Sequence, residues 1–139
     1  MSFQAPLDDF SALDPAELSR VQGWAAKYKM LMAWGNRVQV KPWLRCDQQR
    51  VRGCETALWL AHAEADGRHW FAVDGESRIV KGLAVLLLVH INGQSRTHIA
   101  ALDLPGLLAA EGLEKHLSPS RSNGFNALVT RVREWLVHA

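Results

Sequence analysis

The sequence predicts an α+β domain in which helices pack on a small antiparallel β-sheet. Three observations predict it: a helix with clear boundary signals near the N-terminus, two strand-like segments joined by Asp66 and Gly67, and several helical segments after them. No repeat, low-complexity tract or linker interrupts residues 1–139. Because domains commonly contain about 100–150 residues, we expect a single domain.

The first helical segment has a favourable start at Asp14, an N-cap residue followed by Pro15 at the first position and Glu17 at the third. Apolar residues then recur at three- and four-residue steps as far as Gly35. They are Val21, Trp24, Ala25, Tyr28 and Leu31. Since glycine weakens a helix, we expect Gly23 to split or bend this segment.

The strand-like segments are residues 57–64 and 69–74. They are joined through Asp66 and Gly67, a pair suited to the positive φ angles of a tight hairpin turn. Both segments carry apolar residues at successive positions, so both faces of the sheet have apolar side chains. We therefore expect helices to cover one face.

The second half of the chain predicts helices. Residues 79–91 are the most hydrophobic stretch; they are too short for a membrane span of roughly 20 residues, and they predict a buried core helix. Thr97 and Asp103 are expected to cap short helices, and Ser118 with Pro119 to open the last helix. The apolar stripe of that last helix is Phe125, Leu128, Val129, Val132 and Leu136.

The charge balance argues against a polyanionic partner. The chain has 16 basic and 14 acidic residues, a formal net charge of +2, and only a small basic group at Arg45, Arg50 and Arg52. We expect no nucleic-acid partner, because phosphate binding requires clustered cations. Residues 1–10 lack the features of a secretory signal, so we expect a cytoplasmic location, no membrane association, and reduced cysteines.

Cys54 is the most informative candidate residue. It follows Gly53, which permits a sharp turn, and Arg50 and Arg52 are placed to favour its thiolate. Buried structural cysteines are common, so the residues alone leave both interpretations open. Cys46, the second of the two cysteines, forms no recognisable pair with Cys54. A cysteine hydrolase remains an alternative, although nothing marks a histidine as its base.

The patterns of the histidines and tryptophans favour structural roles over catalytic or metal-binding roles. The six histidines have no metal-ligand spacing, so we expect no metal and no cofactor on this chain. His62 and His90 are expected at the edge of the core with hydrogen-bond partners. Trp24, Trp59 and Trp135 lie in periodic segments and are expected in the core. Trp34 and Trp43, which flank the first loop, are the candidates for a contact surface.

Three segments resemble the SufE family. Residues 51–60, VRGCETALWL, resemble its V-x-G-C-Q-S-x-V-W-L signature. Residues 74–83, DGESRIVKGL, are similar to its D-S-D/E-A-x-I-V-R-G-L segment, and residues 116–125, HLSPSRSNGF, to its H-L-S-P-S-R-x-N-G-L segment. The segments occur in the family's order and spacing, and the resemblance covers nearly the whole chain.

The resemblance implies a fold shared with SufE and IscU-like proteins, with a sheet of about three strands. It places Cys54 at the position of the sulfur-accepting cysteine, on a loop beside a partly apolar cavity that must open when a partner docks. Arg121 matches the motif arginine near this loop and is expected, with Arg52, to support the thiolate. Gly53 and Glu55 are expected to lie in the loop that contacts the partner.

The implied function is that of a sulfur carrier rather than a stand-alone enzyme. Cys54 would take a persulfide sulfur from a SufS- or CsdA-like cysteine desulfurase, stimulate that enzyme, and pass the sulfur to an iron–sulfur scaffold or another acceptor protein. The pyridoxal phosphate would reside on the desulfurase, and this chain would be a monomer or a weak homodimer. Two alternatives remain: an IscU-like iron–sulfur scaffold, and a module that only binds a desulfurase.

Two departures from the family pattern bear on partner choice. Glu55 replaces the commoner glutamine, although one branch of the family carries Gly-Cys-Glu. Gly75 replaces the usual serine ahead of the central helix, which is expected to remove a helix cap.

Overall fold

The structure, a computed structural model, describes residues 8–138. Within that range six α-helices and three β-strands follow one another along the chain. The helices are α1 (Pro15–Arg20), α2 (Trp24–Gly35), α3 (Arg78–Ile91), α4 (Arg96–Ala101), α5 (Leu107–Ala110) and α6 (Pro119–His138). The strands are β1 (Leu58–Ala65), β2 (Arg68–Gly75) and β3 (Gln94–Ser95), and short 3-10 turns span Pro42–Leu44, Asp47–Gln49 and Glu114–His116.

The strands form one antiparallel sheet in the order β1-β2-β3. In the β1–β2 hairpin the register runs from the pair Leu58 and Gly75 to the pair Ala65 and Arg68. The connecting Asp66 and Gly67 have φ angles of 54° and 76°, the conformation that their sequence predicted. The predicted α+β class with a small antiparallel sheet is therefore confirmed.

The predicted break in the N-terminal helix is also confirmed. The Asp14 carboxylate accepts a hydrogen bond from the Ala16 backbone N–H at 2.9 Å and so caps α1. Gly23, with φ 88°, then separates α1 from α2. Left-handed backbone of this kind costs glycine little, which is why the break falls there.

Helix α3 is the centre of the main core, and ten of its residues are buried. Its N-cap is Ser77, whose hydroxyl accepts from the Val80 N–H at 3.3 Å. The expected loss of a cap at Gly75 is thus wrong, because the cap lies two residues later. A Cβ at Gly82 would overlap the carbonyl of Leu31, so glycine lets α2 and α3 meet backbone to backbone.

Caps in the C-terminal half differ partly from the prediction. Thr97 lies inside α4, and the hydroxyl that caps this helix is that of Ser95, which accepts from the His98 N–H at 3.2 Å. The Asp103 carboxylate accepts from an N–H in the turn that precedes α5. Ser118 stands just before α6 as predicted, and the five residues of the predicted apolar stripe are all buried.

The two faces of the sheet differ. The main core lies between one face and the helices, whereas Leu44, Ala57, Trp59, Ala61 and Ala72 form a second small cluster.

No helix in the described residues 8–138 has the length and apolar character needed to cross a bilayer.

Several expectations for single aromatic residues need correction. The expectation that Trp24 lies in the core is wrong: it is 48% exposed because it is the first residue of α2, beyond the edge of the core. Trp34, near which a contact surface is conceivable from the sequence, is buried in the main core. His62 has its expected partner in His69 (Nε2 to Nδ1, 2.7 Å), whereas Nε2 of His90 is buried without a hydrogen-bond partner among the described residues.

Candidate functional site around Cys54

Cys54 lies on a short loop that is closed at its base by backbone hydrogen bonding. The Val51 N–H donates to the Leu58 carbonyl at 2.8 Å, and Arg50 forms an isolated antiparallel bridge with Trp59. Inside this closed segment Gly53 has a φ angle of 86° and is exposed. The loop therefore has a fixed base on β1 and a conformationally permissive residue directly before the cysteine.

The thiol of Cys54 points toward helix α6. A Cβ built on Gly124 would lie 3.1 Å from the sulfur, so the thiol sits directly over the backbone of that glycine. The residue is half-buried and packs against the main core, while its sulfur lies 3.6 Å from the hydroxyl of Thr56. A Cβ on Gly53 would be 3.7 Å from the Cβ of Ala127, one turn along α6. The loop thus rests on two small residues of one helix face.

Two adjoining cavities surround the loop. One, of about 570 Å³, opens beside the contact between the loop and α6 and is lined by loop residues 50–53 and by α6 residues such as Asn123, Asn126 and Thr130. The other, of about 420 Å³, is lined by Asp47, residues 50–53 and Cys54 itself. The partly apolar cavity that the resemblance implied is present in the larger of the two, whose walls combine polar side chains with apolar surface such as Val51 and Ala127, whereas the smaller cavity is mainly polar.

Buried charges hold the segment that precedes the loop. The carboxylate of Asp74 is fully buried and accepts from Arg45 Nε at 2.8 Å and Nη2 at 3.2 Å, and from the Lys41 N–H at 2.7 Å. Burial alone would raise the pKa of Asp74, but the hydrogen bonds from Arg45 and from the backbone outweigh it and lower this pKa. Arg45 also lies over the ring of Trp59, 4.9 Å from its centroid, and Arg50 lies 5.7 Å from the same centroid.

Comparison with known proteins decides the family. The sequence profile of the SufE family, described as an Fe-S metabolism associated domain, matches residues 15–136. The chain belongs to the SufE family. This SufE-family chain is 36% identical over 107 residues to the sulfur acceptor protein CsdE of Escherichia coli K12, covering 76% of this chain and 73% of CsdE.

A second relative supports this family assignment, and a solved structure supports the fold. The chain is 31% identical over 133 residues to an uncharacterised SufE-like protein of Rhizobium etli, with 92% of this chain and 84% of that protein covered. A solution structure of a hypothetical protein from Thermus thermophilus superposes with a TM-score of 0.72 at 22% identity, covering 88% of this chain and 90% of that one. This structural similarity shows the fold.

The predicted site residues of this SufE-family chain lie in two groups. Arg52, Gly53, Cys54 and Glu55 are consecutive in the loop, and Arg52 and Glu55 are exposed. Arg121 lies on α6, one turn before the glycine under the thiol, with its guanidinium carbon 5.4 Å from the centroid of the Tyr28 ring. Arg52 is thus the predicted cation beside the loop, whereas Arg121 stacks on α2. The chemical roles of these residues stay predictions.

Sequence reasoning missed two positions that help to form the candidate site. Gly124 is part of the third family-like segment, but only packing shows that it faces the sulfur. Asp74 is part of the second, yet no local pattern predicts its ion pair with Arg45. The other thiol, Cys46, is exposed and free. Among residues 8–138 no group of three or more histidine, cysteine and acidic side chains is arranged to hold a metal ion.

Proposed function

We propose that this SufE-family protein is a sulfur acceptor in iron–sulfur metabolism, and that Cys54 carries the sulfur as a persulfide. The observation that supports the proposal is the position of the thiol: it is half-buried over Gly124 on a loop with a left-handed glycine directly before it. The relative named sulfur acceptor protein CsdE supports the same function.

The transfer is a thiol exchange. A cysteine desulfurase takes sulfur from L-cysteine with its pyridoxal phosphate and holds that sulfur as a persulfide on its own cysteine. The Cys54 thiolate attacks the outer sulfur, a new S–S bond forms to Cys54, and the S–S bond to the desulfurase cysteine breaks. The desulfurase cysteine is released as a thiolate, so the transfer consumes no oxidant or reductant.

The loop residues have distinct tasks in this proposal. Arg52 is exposed beside Cys54 and provides positive charge that favours its thiolate. Gly53 allows the loop to turn outward, because its backbone conformation is not restricted by a side chain. Glu55 is exposed next to the thiol and contacts the partner. Arg121 supports the site from α6, one turn before Gly124.

The resting position protects the thiol and must be left during transfer. The sulfur lies half-buried between the loop and α6, and in this proposal the loop lifts from Gly124 and Ala127 to present it to a partner cysteine. Both contacts are with small residues, so little packing energy opposes this movement. After loading, an acceptor thiolate on an iron–sulfur scaffold or another sulfur-using protein attacks the outer sulfur in the same way.

Intact-mass spectrometry tests the proposal. The protein is incubated without reductant with a cysteine desulfurase, pyridoxal phosphate and L-cysteine, and adducts are mapped by peptide. We expect a gain of one sulfur on Cys54 in the wild type and in Cys46→Ser, and none in Cys54→Ser. Cys46→Ser is the matched control, because it removes the other free thiol.

Equal loading of Cys54→Ser, or no loading of the folded wild type by several desulfurases, contradicts the proposal. Desulfurase stimulation that survives in Cys54→Ser indicates a module that acts by binding alone. An iron–sulfur chromophore after anaerobic reconstitution indicates a scaffold.

A further inference from the structure

We propose that the cavities around the cysteine loop bind small thiols that carry an amino-acid group, and that a bound thiol takes the outer sulfur from the Cys54 persulfide. This activity goes beyond transfer to protein acceptors. It rests on the proposed function, because it requires a persulfide on Cys54. The ligand class follows from the size of the cavities and from the charges that line them.

The two cavities share one wall and reach the thiol. Both are lined by Asp47 and residues 50–53, and Cys54 itself lines the smaller one. On the α6 side, the larger cavity is lined by Asn123, the neighbour in sequence of the glycine under the sulfur. Volumes of about 570 and 420 Å³ lie within the roughly 300–1,000 Å³ of small-molecule sites. A small thiol in these cavities therefore lies beside the sulfur without the clearance that a protein partner needs.

Two guanidinium groups in the shared wall are available to an anion. In the described part of the chain, no ion pair or side-chain hydrogen bond involves Arg50 or Arg52. Arg50 is half-buried and lies over the ring of Trp59, which restricts its position, and Arg52 is exposed. The third arginine of the larger cavity, Arg131, pairs with Glu134 at 3.3 Å. A ligand carboxylate therefore binds Arg50 or Arg52, because a guanidinium donates two parallel hydrogen bonds to a carboxylate.

The same wall also carries a negative charge. Asp47 lines both cavities and is exposed, and its carboxylate forms no ion pair with any other residue that the structure describes. Such a carboxylate attracts an ammonium group and repels a second anion. An α-amino acid group offers its carboxylate to Arg50 or Arg52 and its ammonium to Asp47. The two charges of the wall therefore favour an amino-acid group over a simple organic acid.

The α6 wall provides neutral hydrogen-bonding groups. The side-chain amides of Asn123 and Asn126 are exposed and have no hydrogen-bond partner within residues 8–138. The Thr130 hydroxyl donates to the Asn126 backbone carbonyl at 3.0 Å and can still accept. Side-chain amides both donate and accept, so this wall suits the peptide groups of a small peptide thiol. Glutathione, with an amino-acid group at one end and a second carboxylate at the other, matches this set.

The reaction is a second thiol exchange. The bound thiol loses its proton to water, and its thiolate attacks the outer sulfur of the Cys54 persulfide. An S–S bond forms between the ligand sulfur and the outer sulfur, and the bond between the outer sulfur and the Cys54 sulfur breaks. Cys54 is released as a thiolate and the ligand leaves as a small persulfide, so the step consumes no oxidant or reductant.

Sulfur transfer from the loaded protein tests the inference. Cys46→Ser serves as the parent protein, so that only Cys54 carries sulfur. It is loaded by a cysteine desulfurase with L-cysteine, or by inorganic polysulfide, and then separated from the donor. Reduced glutathione or 2-mercaptoethanol is added, and loss of sulfur from Cys54 is followed by rapid-quench mass spectrometry. We expect the rate to saturate with glutathione and to rise linearly with 2-mercaptoethanol, which has no charged group.

Variants of the cavity wall identify the binding groups. The readout is the rate with glutathione divided by the rate with 2-mercaptoethanol at equal thiolate concentration, because this ratio cancels any change in the reactivity of Cys54. We expect Arg50→Gln to lower the ratio at least about 10-fold, because a charge-assisted hydrogen bond is lost. Asn126→Asp adds a negative charge to the opposite wall and is expected to lower the ratio at least about threefold. Arg37→Gln is the matched control, since Arg37 is exposed and lines neither cavity. Thermal unfolding checks that each variant is folded.

A second comparison isolates the amino-acid group. L-cysteine and 3-mercaptopropionate both have a carboxylate, but only L-cysteine has an ammonium group. We expect Asp47→Asn to lower the ratio of their rates, L-cysteine over 3-mercaptopropionate, at least about threefold, because asparagine does not neutralise the ammonium. An unchanged ratio would show that Asp47 does not bind the ammonium, and the assigned ligand class would be wrong.

The outcomes separate this inference from the proposed function. If the desulfurase loads Cys54 but the ratios of Arg50→Gln and Asn126→Asp stay within about twofold of the parent, the cavity inference is wrong and the acceptor function stands. If desulfurases leave Cys54 unloaded, while the polysulfide-loaded protein shows saturation that depends on Arg50, the cavity inference stands and the acceptor function is wrong. If desulfurases leave Cys54 unloaded and the polysulfide-loaded protein shows no saturation, both are wrong.

Discussion

The sulfur of Cys54 lies over the backbone of Gly124, so close that a Cβ at that glycine would be 3.1 Å from it. Helix α6 thereby forms the surface on which the loop rests, and the absence of a side chain at position 124 determines how deeply the thiol is placed. The position of the Cys54 thiol is then set by two segments that are 70 residues apart in the sequence.

Gly124→Ala is expected to push the thiol outward. The loop can move by the few tenths of an ångström required, because Gly53 precedes the cysteine and the space beside the loop is open. Alanine favours the helix by about 1 kcal/mol relative to glycine, which offsets part of the steric cost. We expect faster alkylation of Cys54 by iodoacetamide and an unfolding free energy within about 1 kcal/mol of the wild type. Cys46 is the internal control, and acceleration of both thiols would contradict the prediction.

Gly53→Ala is expected to impair sulfur loading through backbone strain. Its φ angle of 86° is unfavourable for alanine, while the nearest atom to an added Cβ is 3.7 Å away, so the cost of about 1 kcal/mol is conformational rather than steric. Gly23→Ala is the matched control, since Gly23 has φ 88° and open space around it. Denaturant unfolding should show similar losses for both variants, and only Gly53→Ala should slow loading of Cys54. Equal loading rates would rule out a role for this backbone position.

Asp74→Asn is expected to destabilise the protein and loosen the segment before the loop. The change removes the buried partner of Arg45 and places an amide N–H₂ among hydrogen-bond donors. We expect a loss of about 2–4 kcal/mol in unfolding free energy. Urea unfolding measures it, and faster alkylation of Cys54 should accompany it. Asp103→Asn is a suitable control, because Asp103 lies in an exposed turn.

The ion pair between Asp74 and Arg45 also predicts that the free energy of unfolding depends on pH. The pKa of Asp74 in the folded protein is lowered from 3.8. The contribution of its carboxylate to the free energy of unfolding is therefore complete above pH 3.8, and it is lost as the pH falls through the lower pKa of the folded protein. The difference in unfolding free energy between wild type and Asp74→Asn should therefore be constant from pH 7 to about pH 5 and shrink at lower pH. A difference that grows on acidification would contradict this assignment.

His62 should make the protein less stable in mild acid. Burial and then the charge of His69 lower the pKa of His62 from 6.5, so the unfolded chain binds more protons and stability is lost as the pH falls below 6.5. Protonation of His62 would also place an N–H donor on each side of the 2.7 Å contact between His62 Nε2 and His69 Nδ1, so the hydrogen bond would be lost. We expect guanidinium unfolding to show lower stability at pH 5.5 than at 7.5, and a smaller slope in His62→Gln. The remaining slope is expected from His90, whose pKa is lowered by burial.

Most of the fold could be predicted because its signals are local. The cap at Asp14, the break at Gly23 and the turn at Asp66 depend on residues close in sequence, and the structure has all three. The cap predicted at Thr97 and the cap expected to be lost at Gly75 each fall within two residues of the actual caps, Ser95 and Ser77. Helix ends are set by small energy differences between neighbouring polar residues, so a sequence predicts the region better than the residue.

The candidate site could be predicted only in part. The motif identified Cys54, Gly53 and Arg121 as residues of interest, but not their surroundings. The resemblance implied a sheet of about three strands, which is confirmed, but the residues of β3 were not predicted, since two residues carry no periodic signal and pair only because β2 is already in place. Trp24 follows the helical period that predicts burial, yet its helix begins at the edge of the core, and periodicity cannot show where the core ends.

By itself the sequence determined the class of fold, the order of its elements, the family resemblance and the cysteine on which a function can be proposed. These depend on caps, turns, periodicity and motifs, which act over a few residues. Only the tertiary structure decided that the thiol lies over Gly124, that Asp74 binds Arg45 in the segment before the loop, and that Trp24 is exposed at the start of α2. Each of these depends on how distant segments pack, and close packing specifies contacts that no local pattern contains.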